Sequence, residues 1–196
     1  MRNLLKGTSF VVLAGLVTSC ASTPAVVRAE EAKTATANPG AVTIVMFTDF
    51  QCPFCRRTHA MLAPLVDAHH DKVRMVFEHV PLPRHPDART AARAAICVET
   101  LTKELSEDYA HALYGATDLS EAACEDLALE RGVDKTKYED CLASPAVERR
   151  IDHDLHTFDE VGGDGVPLMF IGHHRIDGMP PKADIEDALN AALQGR

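Results

Sequence analysis

Two cysteines stand three positions apart in Cys52-Pro53-Phe54-Cys55, between an apolar run and the start of a helical pattern. A thiol becomes a strong nucleophile only as the thiolate. Where a strand hands over to a helix, the first sulfur faces backbone N–H groups without intrahelical partners and the positive end of the helix dipole. Both favour the thiolate, and each unit of pKa depression corresponds to about 1.4 kcal/mol. The second cysteine, less than one turn further on, is placed deeper, within reach of the first sulfur but not of an incoming molecule. The spacing therefore points to thiol–disulfide exchange, with Cys52 as nucleophile and Cys55 as the resolving residue. The competing chemistry is half of a zinc site, which needs four ligands. His69, His70, His79, His153, His156, His173 and His174 are present, but none stands at a ligand offset from another cysteine, so no metal is expected.

The elements that must position the pair can be read along the chain. Residues 41–48 are apolar and β-branched, bounded by Pro39-Gly40 and Asp49, and read as a buried strand. Cys52-Pro53 opens a helix to about residue 70, with proline at the first helical position, where a missing N–H costs nothing. Residues 72–79 alternate as a second strand, and Pro81, Pro83 and Pro86 then break regular structure. From residue 86 to about 143 only short helices are expected, one capped by Ser120 and ended by Gly132. A longer helix starts at Pro145, followed by a Gly-rich turn, two strands around Gly172-His173 and a final helix over 182–193. The order β-α-β, helices, α-β-β-α predicts a four-stranded mixed sheet covered on both faces.

Thr48-Asp49-Phe50-Gln51-Cys52-Pro53-Phe54-Cys55 closely resembles the active-site segment of DsbA-like thiol:disulfide oxidoreductases of the thioredoxin superfamily. A second match lies downstream in Gly165-Val166-Pro167-Leu168-Met169-Phe170-Ile171-Gly172, followed by Ile176-Asp177-Gly178. The resemblance covers about residues 41–194. It implies an α/β thioredoxin fold, a mixed central sheet with an inserted all-α helical domain: residues 41–82 and 146–196 as the thioredoxin-like part, 83–145 as the insertion. It also implies that the Val166–Pro167 bond is cis and lies against the cysteine pair, with the Val166 backbone pairing with an extended substrate segment. A strand-opening trans proline is the alternative. Pro53 and Phe54 would then border the substrate. The most oxidising relatives carry His where this chain has Phe54. A neutral ring adds no positive charge, so a less extreme reduction potential is expected. Arg56 and Arg57 either compensate through their field or are solvated helix residues. Asp49 either tunes the thiolate or, the preferred reading, caps the turn.

Arg2 and Lys6 precede an apolar run over residues 10–17 that is too short to span a bilayer. The run ends in Val17-Thr18-Ser19-Cys20, which resembles a bacterial lipobox. Residues 1–19 are then a lipoprotein signal peptide and Cys20 carries the lipid. Ordinary signal-peptidase cleavage near Ala21 or Ala25 and an uncleaved anchor are the alternatives. Ala21 in place of Asp gives no reason for retention in an inner membrane, so an outer membrane is favoured. Residues 20–40, rich in Ala, Thr, Ser, Pro and Glu, read as a flexible tether. Removing residues 1–19 takes away Arg2 and Lys6 and moves the formal charge from -9 to -11. An acidic chain without a basic stripe is a poor candidate for nucleic acid.

Cys97, Cys124 and Cys141 remain, an odd number in the helical segment. In an oxidising compartment two of them are expected to pair. Cys124 shares an apolar stripe with Leu127 and Ala128, where a buried thiol is the simpler reading, so Cys97–Cys141 is preferred and Cys124–Cys141 stays open. The chain thus reads as an extracytoplasmic enzyme that exchanges disulfides with exported, unfolded or disulfide-containing proteins. It works as a monomer with a membrane redox partner and needs no cofactor beyond its own Cys52–Cys55 pair. Val rather than Thr before Pro167 resembles the oxidase branch. Reductase or isomerase activity, and a metal-binding, metallochaperone-like module, are the alternatives.

Overall fold

The structure, a computed structural model, describes residues 23–37 and 40–195. Strand β1 (Val42–Thr48) is buried along its length apart from its first residue. Its run of Val, Ile, Met and Phe suits a strand with both faces covered. It lies inside a four-stranded sheet of order β2-β1-β3-β4, where β2 is Val73–His79, β3 is Leu168–Ile171 and β4 is His174–Asp177. β2 runs parallel to β1, which demands a crossover, and helix α2 (Pro53–Ala68) supplies it. β3 pairs antiparallel with β1, and β4 with β3. The tight β3–β4 turn uses Gly172 at a φ of 54°, a region that favours glycine.

The period-2 alternation divides the apolar residues between two layers. Ile44, Met46, Met169 and Ile171 face α2, through Leu62 and Val66, and α8 (Lys182–Leu193), through Ile185 and Leu189. Val45, Phe47, Leu168 and Phe170 face the other way, against Phe158 of α7 (Pro145–Glu160) and Val161 just beyond it. There Phe47 meets Phe158 and Phe170 with ring centroids 5.7 and 6.4 Å apart. Such pairs contribute about 0.5–1.5 kcal/mol each beyond the area they bury.

Between β2 and α7 the chain forms α3 (Ala88–Leu101), a 3-10 turn at Lys103–Leu105, α4 (Ser106–Gly115), α5 (Glu121–Glu130) and α6 (Lys135–Ala143). The starts of α5, α6 and α7 are capped by Ser120, Asp134 and Ser144, whose side chains accept the N–H of Ala123, Lys137 and Ala146. α3 is the hub of this block and packs on α4, α5, α6 and α7. The whole is an α/β mixed sheet with a helical insertion, as expected.

One expectation needs correction. Part of the stretch read as a flexible tether is helix α1 (Ala25–Ala37). Its Ala, Arg and Glu residues are good helix formers, and Val27 is fully buried among Val45, Phe47, Val80 and Phe158. Val26, partly buried, packs against the same cluster. Two adjacent valines at its start give this helix its contact with the sheet without producing a stripe in the sequence. The proposed signal peptide, residues 1–19, and Cys20 lie outside the described residues.

Candidate active site

The register of the sheet assembles the site. Pairing of Phe47 with Leu168, antiparallel, puts the end of β1 beside the start of β3, and pairing of Thr48 with His79 brings the end of β2 to the same rim. The chain leaves β1 through a turn closed by the Cys52 N–H donating to the Asp49 carbonyl at 3.0 Å. Cys52 is the N-cap of α2, in extended conformation, with Pro53 at the first helical position and the Arg56 N–H donating to the Cys52 carbonyl at 3.0 Å. Along α2, Cys55, Thr58, His59, Leu62 and Val66 fall on the buried side, the spacing of one helical face.

Both sulfurs belong to buried residues, Cys52 with 1 % and Cys55 with none of its surface exposed. Exposure therefore does not separate the two; their surroundings do. The Cys52 thiol is lowered from 9.0 to about 6. The largest cause is the Cys55 thiol, which donates to the Cys52 sulfur. Burial opposes this, the backbone N–H groups of Cys55 and Phe54 add to it, and the Asp49 carboxylate opposes it. The helix N-terminus contributes as expected, but behind the neighbouring thiol. Burial drives Cys55 far in the other direction, reinforced by its bond to Cys52, while the Thr48 hydroxyl and the Asp49 backbone N–H partly offset the rise. One thiol prone to lose its proton thus sits beside one that holds it.

Asp49, 2 % exposed, braces the loop from beneath. One carboxylate oxygen accepts the Gln51 N–H at 2.7 Å; the other accepts the Leu82 N–H at 2.9 Å and lies 2.7 Å from His85 Nδ1. The capping role is real, and it extends to the loop after β2. Gln51 adds a reciprocal pair, donating to Asp87 Oδ2 at 3.1 Å and accepting the Asp87 N–H at 2.8 Å. Arg56 donates to the Ala116 carbonyl at 2.9 Å, whereas Arg57 is exposed. Neither arginine figures among the causes that lower Cys52.

The Val166–Pro167 bond is cis, and the Val166 carbonyl lies 3.9 Å from Cys52 Sγ. Gly178 donates its N–H to the Pro167 carbonyl at 2.8 Å, which brings the β4–α8 loop alongside. Phe54 at 50 % and Met179 at 43 % are the large apolar side chains exposed among the described residues. Phe54 adjoins the sulfur in sequence, and Met179 follows the residue bonded to Pro167. Sequence reading did not single out Met179, Thr48, Tyr114 or His85. Cys97 and Cys141 are joined in a disulfide, and Cys124 is a buried free thiol. Among the described residues no group of three or more His, Cys, Asp or Glu is placed to hold a metal ion.

A family model described as thioredoxin matches residues 30–191. This chain belongs to the thioredoxin family. A solved thioredoxin-like oxidoreductase from Silicibacter pomeroyi is 28 % identical, with a TM-score of 0.68 over 80 % of this chain and 90 % of that one. Two more distant structures share the fold. One is the thiol-disulfide exchange protein alpha-DsbA2 from Wolbachia pipientis, 20 % identical, TM-score 0.69, covering 86 % of this chain and 98 % of that one. The other is BdbD from Bacillus subtilis, 18 % identical, TM-score 0.69, covering 81 % and 90 %. Curated relatives of this thioredoxin-family chain include a Na(+)/H(+) antiporter NhaA of Herminiimonas arsenicoxydans, 25 % identical over 79 % of this chain and 24 % of that protein. The antiporter NhaA 3 of Salinispora tropica is 32 % identical over 78 % of this chain and 22 % of that protein. The chain spans about a quarter of the length of these relatives. Among its described residues no helix is long and apolar enough to cross a membrane.

Proposed function

We propose that this chain is a protein disulfide oxidoreductase, with Cys52 as nucleophile and Cys55 as resolving residue. The observation that carries the proposal is the placement of Cys52 as the N-cap of α2, with Cys55 less than one turn further on and the Val166 carbonyl 3.9 Å from the Cys52 sulfur. The Cys55 thiol donating to that sulfur lowers Cys52 to about 6. Cys52 as thiolate attacks a substrate disulfide, or the Cys52–Cys55 disulfide accepts a substrate thiolate. Either way a mixed disulfide forms on Cys52, and Cys55 or a second substrate thiolate releases it. Phe54, Pro53 and the Val166–Pro167 backbone border the substrate segment. The oxidase direction, on exported unfolded or disulfide-containing proteins and recharged by a membrane redox partner, is favoured by Val166 in place of Thr. A thiol-disulfide exchange protein among the related solved structures supports the exchange chemistry.

The deciding measurement is the Cys52–Cys55 reduction potential, taken with insulin reduction and with refolding of a reduced disulfide protein. A potential toward about -120 mV with efficient refolding selects the oxidase; one near about -270 mV with insulin reduction selects the reductase. No dithiol–disulfide cycling at all would remove the proposal. An extracytoplasmic place and a lipid anchor on Cys20 belong to the same reading. Cys20→Ala should release the protein from membranes into the soluble fraction, and unchanged membrane association would exclude that anchor.

A further inference from the structure

The buried thiol poses a problem that the exchange reaction does not solve alone. When a substrate thiolate attacks Cys52 of the oxidised pair, the new bond joins substrate sulfur to Cys52 Sγ. The Cys52–Cys55 bond breaks, and its electron pair stays on Cys55 Sγ. The substrate sulfur is oxidised, Cys55 is reduced, and no proton moves in that step. A thiolate therefore appears on a residue with no exposed surface, and the reverse step starts from the same thiolate. An anion in such a place needs donors.

Neither a Lys nor an Arg is among the largest influences on Cys55. The groups that favour its charged form are the Thr48 hydroxyl and the Asp49 backbone N–H. Thr48, the last residue of β1, is 1 % exposed, and its Oγ1 is hydrogen-bonded to the hydroxyl of Tyr114 on α4. The Tyr114 ring is clamped between His59, stacked at 4.4 Å, and Phe50, at 4.8 Å. Burial keeps the Tyr114 phenol protonated, so it remains a donor. We propose that Thr48 is a catalytic residue and Tyr114 its positioning residue: Tyr114 O–H donates to Thr48 Oγ1, and Thr48 O–H donates to the Cys55 thiolate of the exchange step. Two hydroxyls aligned in one direction polarise each other toward the sulfur. Hydrogen bonds to charged groups are the stronger kind. The helical insertion thereby supplies a working part of the site, because Tyr114 comes from α4. This inference rests on the exchange reaction proposed above and assigns the group that makes Cys55 a competent leaving and attacking sulfur.

The test uses the oxidised full chain, glutathione as the thiol probe, and acid quenching with mass analysis. It measures how fast the glutathione mixed disulfide on Cys52 forms, and how fast it resolves when made from the reduced protein and glutathione disulfide. Thr48→Val keeps the volume and removes the hydroxyl; both rates should fall about tenfold, about 1.4 kcal/mol. Thr48→Ser should restore them to within about twofold, and Tyr114→Phe should slow them about threefold. Thr48→Val/Tyr114→Phe should be no slower than Thr48→Val, since Tyr114 acts through Thr48. Wild-type rates in Thr48→Val with cycling intact would overturn this inference and leave the exchange function standing. A wild-type protein that never forms the mixed disulfide would overturn both. If Thr48→Val does not fold, Tyr114→Phe decides, because its ring stays clamped: unchanged resolution overturns the hydroxyl pair.

Discussion

Two pairs of cysteines in this molecule are found in opposite states, one as free thiols and one as a disulfide. Cys52 and Cys55 are neighbours on one helical turn, both buried, both free thiols. Cys97 and Cys141 are 44 positions apart and tie α3 to α6 in a disulfide. Cys97 is as buried as Cys52 and Cys55 while its partner Cys141 is half-buried, so burial alone does not set the two pairs apart. What differs is polarity. Around Cys52 and Cys55 stand Asp49, the Thr48 hydroxyl, the first N–H groups of α2 and the Val166 carbonyl. Cys97 and Cys141 lie in the apolar cluster to which α3, α4 and α6 contribute, and among the described residues no polar partner of either side chain stands beside the bridge in the way that Asp49 and Thr48 stand beside Cys52 and Cys55. A sulfur pair becomes reactive when its surroundings can hold charge on one member, and becomes a staple when they cannot.

The sharpest way to break this comparison is to remove each pair in turn. Cys52→Ser should abolish insulin reduction and refolding activity, and Cys55→Ser should leave mixed disulfides trapped on Cys52, visible by mass analysis. Turnover in Cys52→Ser would defeat the assignment of the nucleophile. Cys97→Ala/Cys141→Ala should instead leave exchange intact and weaken the fold. Opening a loop of 44 residues costs at most about 4 kcal/mol by the chain-entropy model, or roughly 10 °C in melting temperature for a domain of this size. A double variant that melts with the parent would mean the bridge adds nothing to the fold, and one that loses exchange would mean that the two pairs are coupled.

A smaller effect, on pH, sharpens the contrast. The folded-state thiol of Cys52 is lowered to about 6 from an unfolded value near 9, so between these values the unfolded chain binds the extra proton. Stability of the reduced protein therefore rises with pH across that window. The contribution is complete above 9 and lost as pH falls through 6. The oxidised protein has no such proton and serves as reference. Glu78 acts in the opposite sense. Raised to about 9, first by burial and then by Asp154, it loses its stabilising contribution as pH rises. It does so in both redox forms and cancels in the difference. Denaturant titrations of the two forms from pH 5 to 9 should diverge in favour of the reduced protein, and alkylation of Cys52 should show a midpoint near 6. Asp49→Asn should move that midpoint lower, because the carboxylate opposes the thiolate, and should loosen the loop that Asp49 holds through Gln51, Leu82 and His85. Parallel titrations of both forms would show that Cys52 is an ordinary thiol.

The contrast also marks what a sequence discloses. The strands and long helices were legible because burial on two faces imposes a β-branched run on β1 and a one-face pattern on α2. The Cys52–Cys55 pair was legible because its chemistry is local, a short spacing at a strand-to-helix junction, whereas the place of Pro167 came only through the family resemblance. Helix α1 was hidden, since the valines that anchor it, Val26 and Val27, are adjacent and leave no stripe. The Thr48–Tyr114 contact was hidden for another reason. The two residues are 66 positions apart, and nothing in the local pattern of α4 says what the Tyr114 hydroxyl meets. The Cys97–Cys141 pairing stood between these cases, narrowed by the apolar stripe of Cys124 while Cys124–Cys141 stayed open.

Cys124 offers the finest test, because it is as buried as Cys52 and Cys55 and belongs to neither pair. It is 1 % exposed, its thiol donates to the Leu119 carbonyl at 3.4 Å, and burial pushes it up to about 12. Acidic neighbours, Asp118 first, add to the rise and nothing offsets it. If charge-holding surroundings rather than burial make a sulfur reactive, Cys124 should resist alkylation in the native protein at pH 8 while Cys52 is consumed. Cys124→Ala should cost about 1 kcal/mol in urea denaturation, the usual scale for one small buried group, with exchange unchanged. Cys124→Ser, which keeps a donor for Leu119, separates the hydrogen bond from the packing. A Cys124 that alkylates alongside Cys52 would show that the interior of this protein does not sort its sulfurs by the polar groups around them.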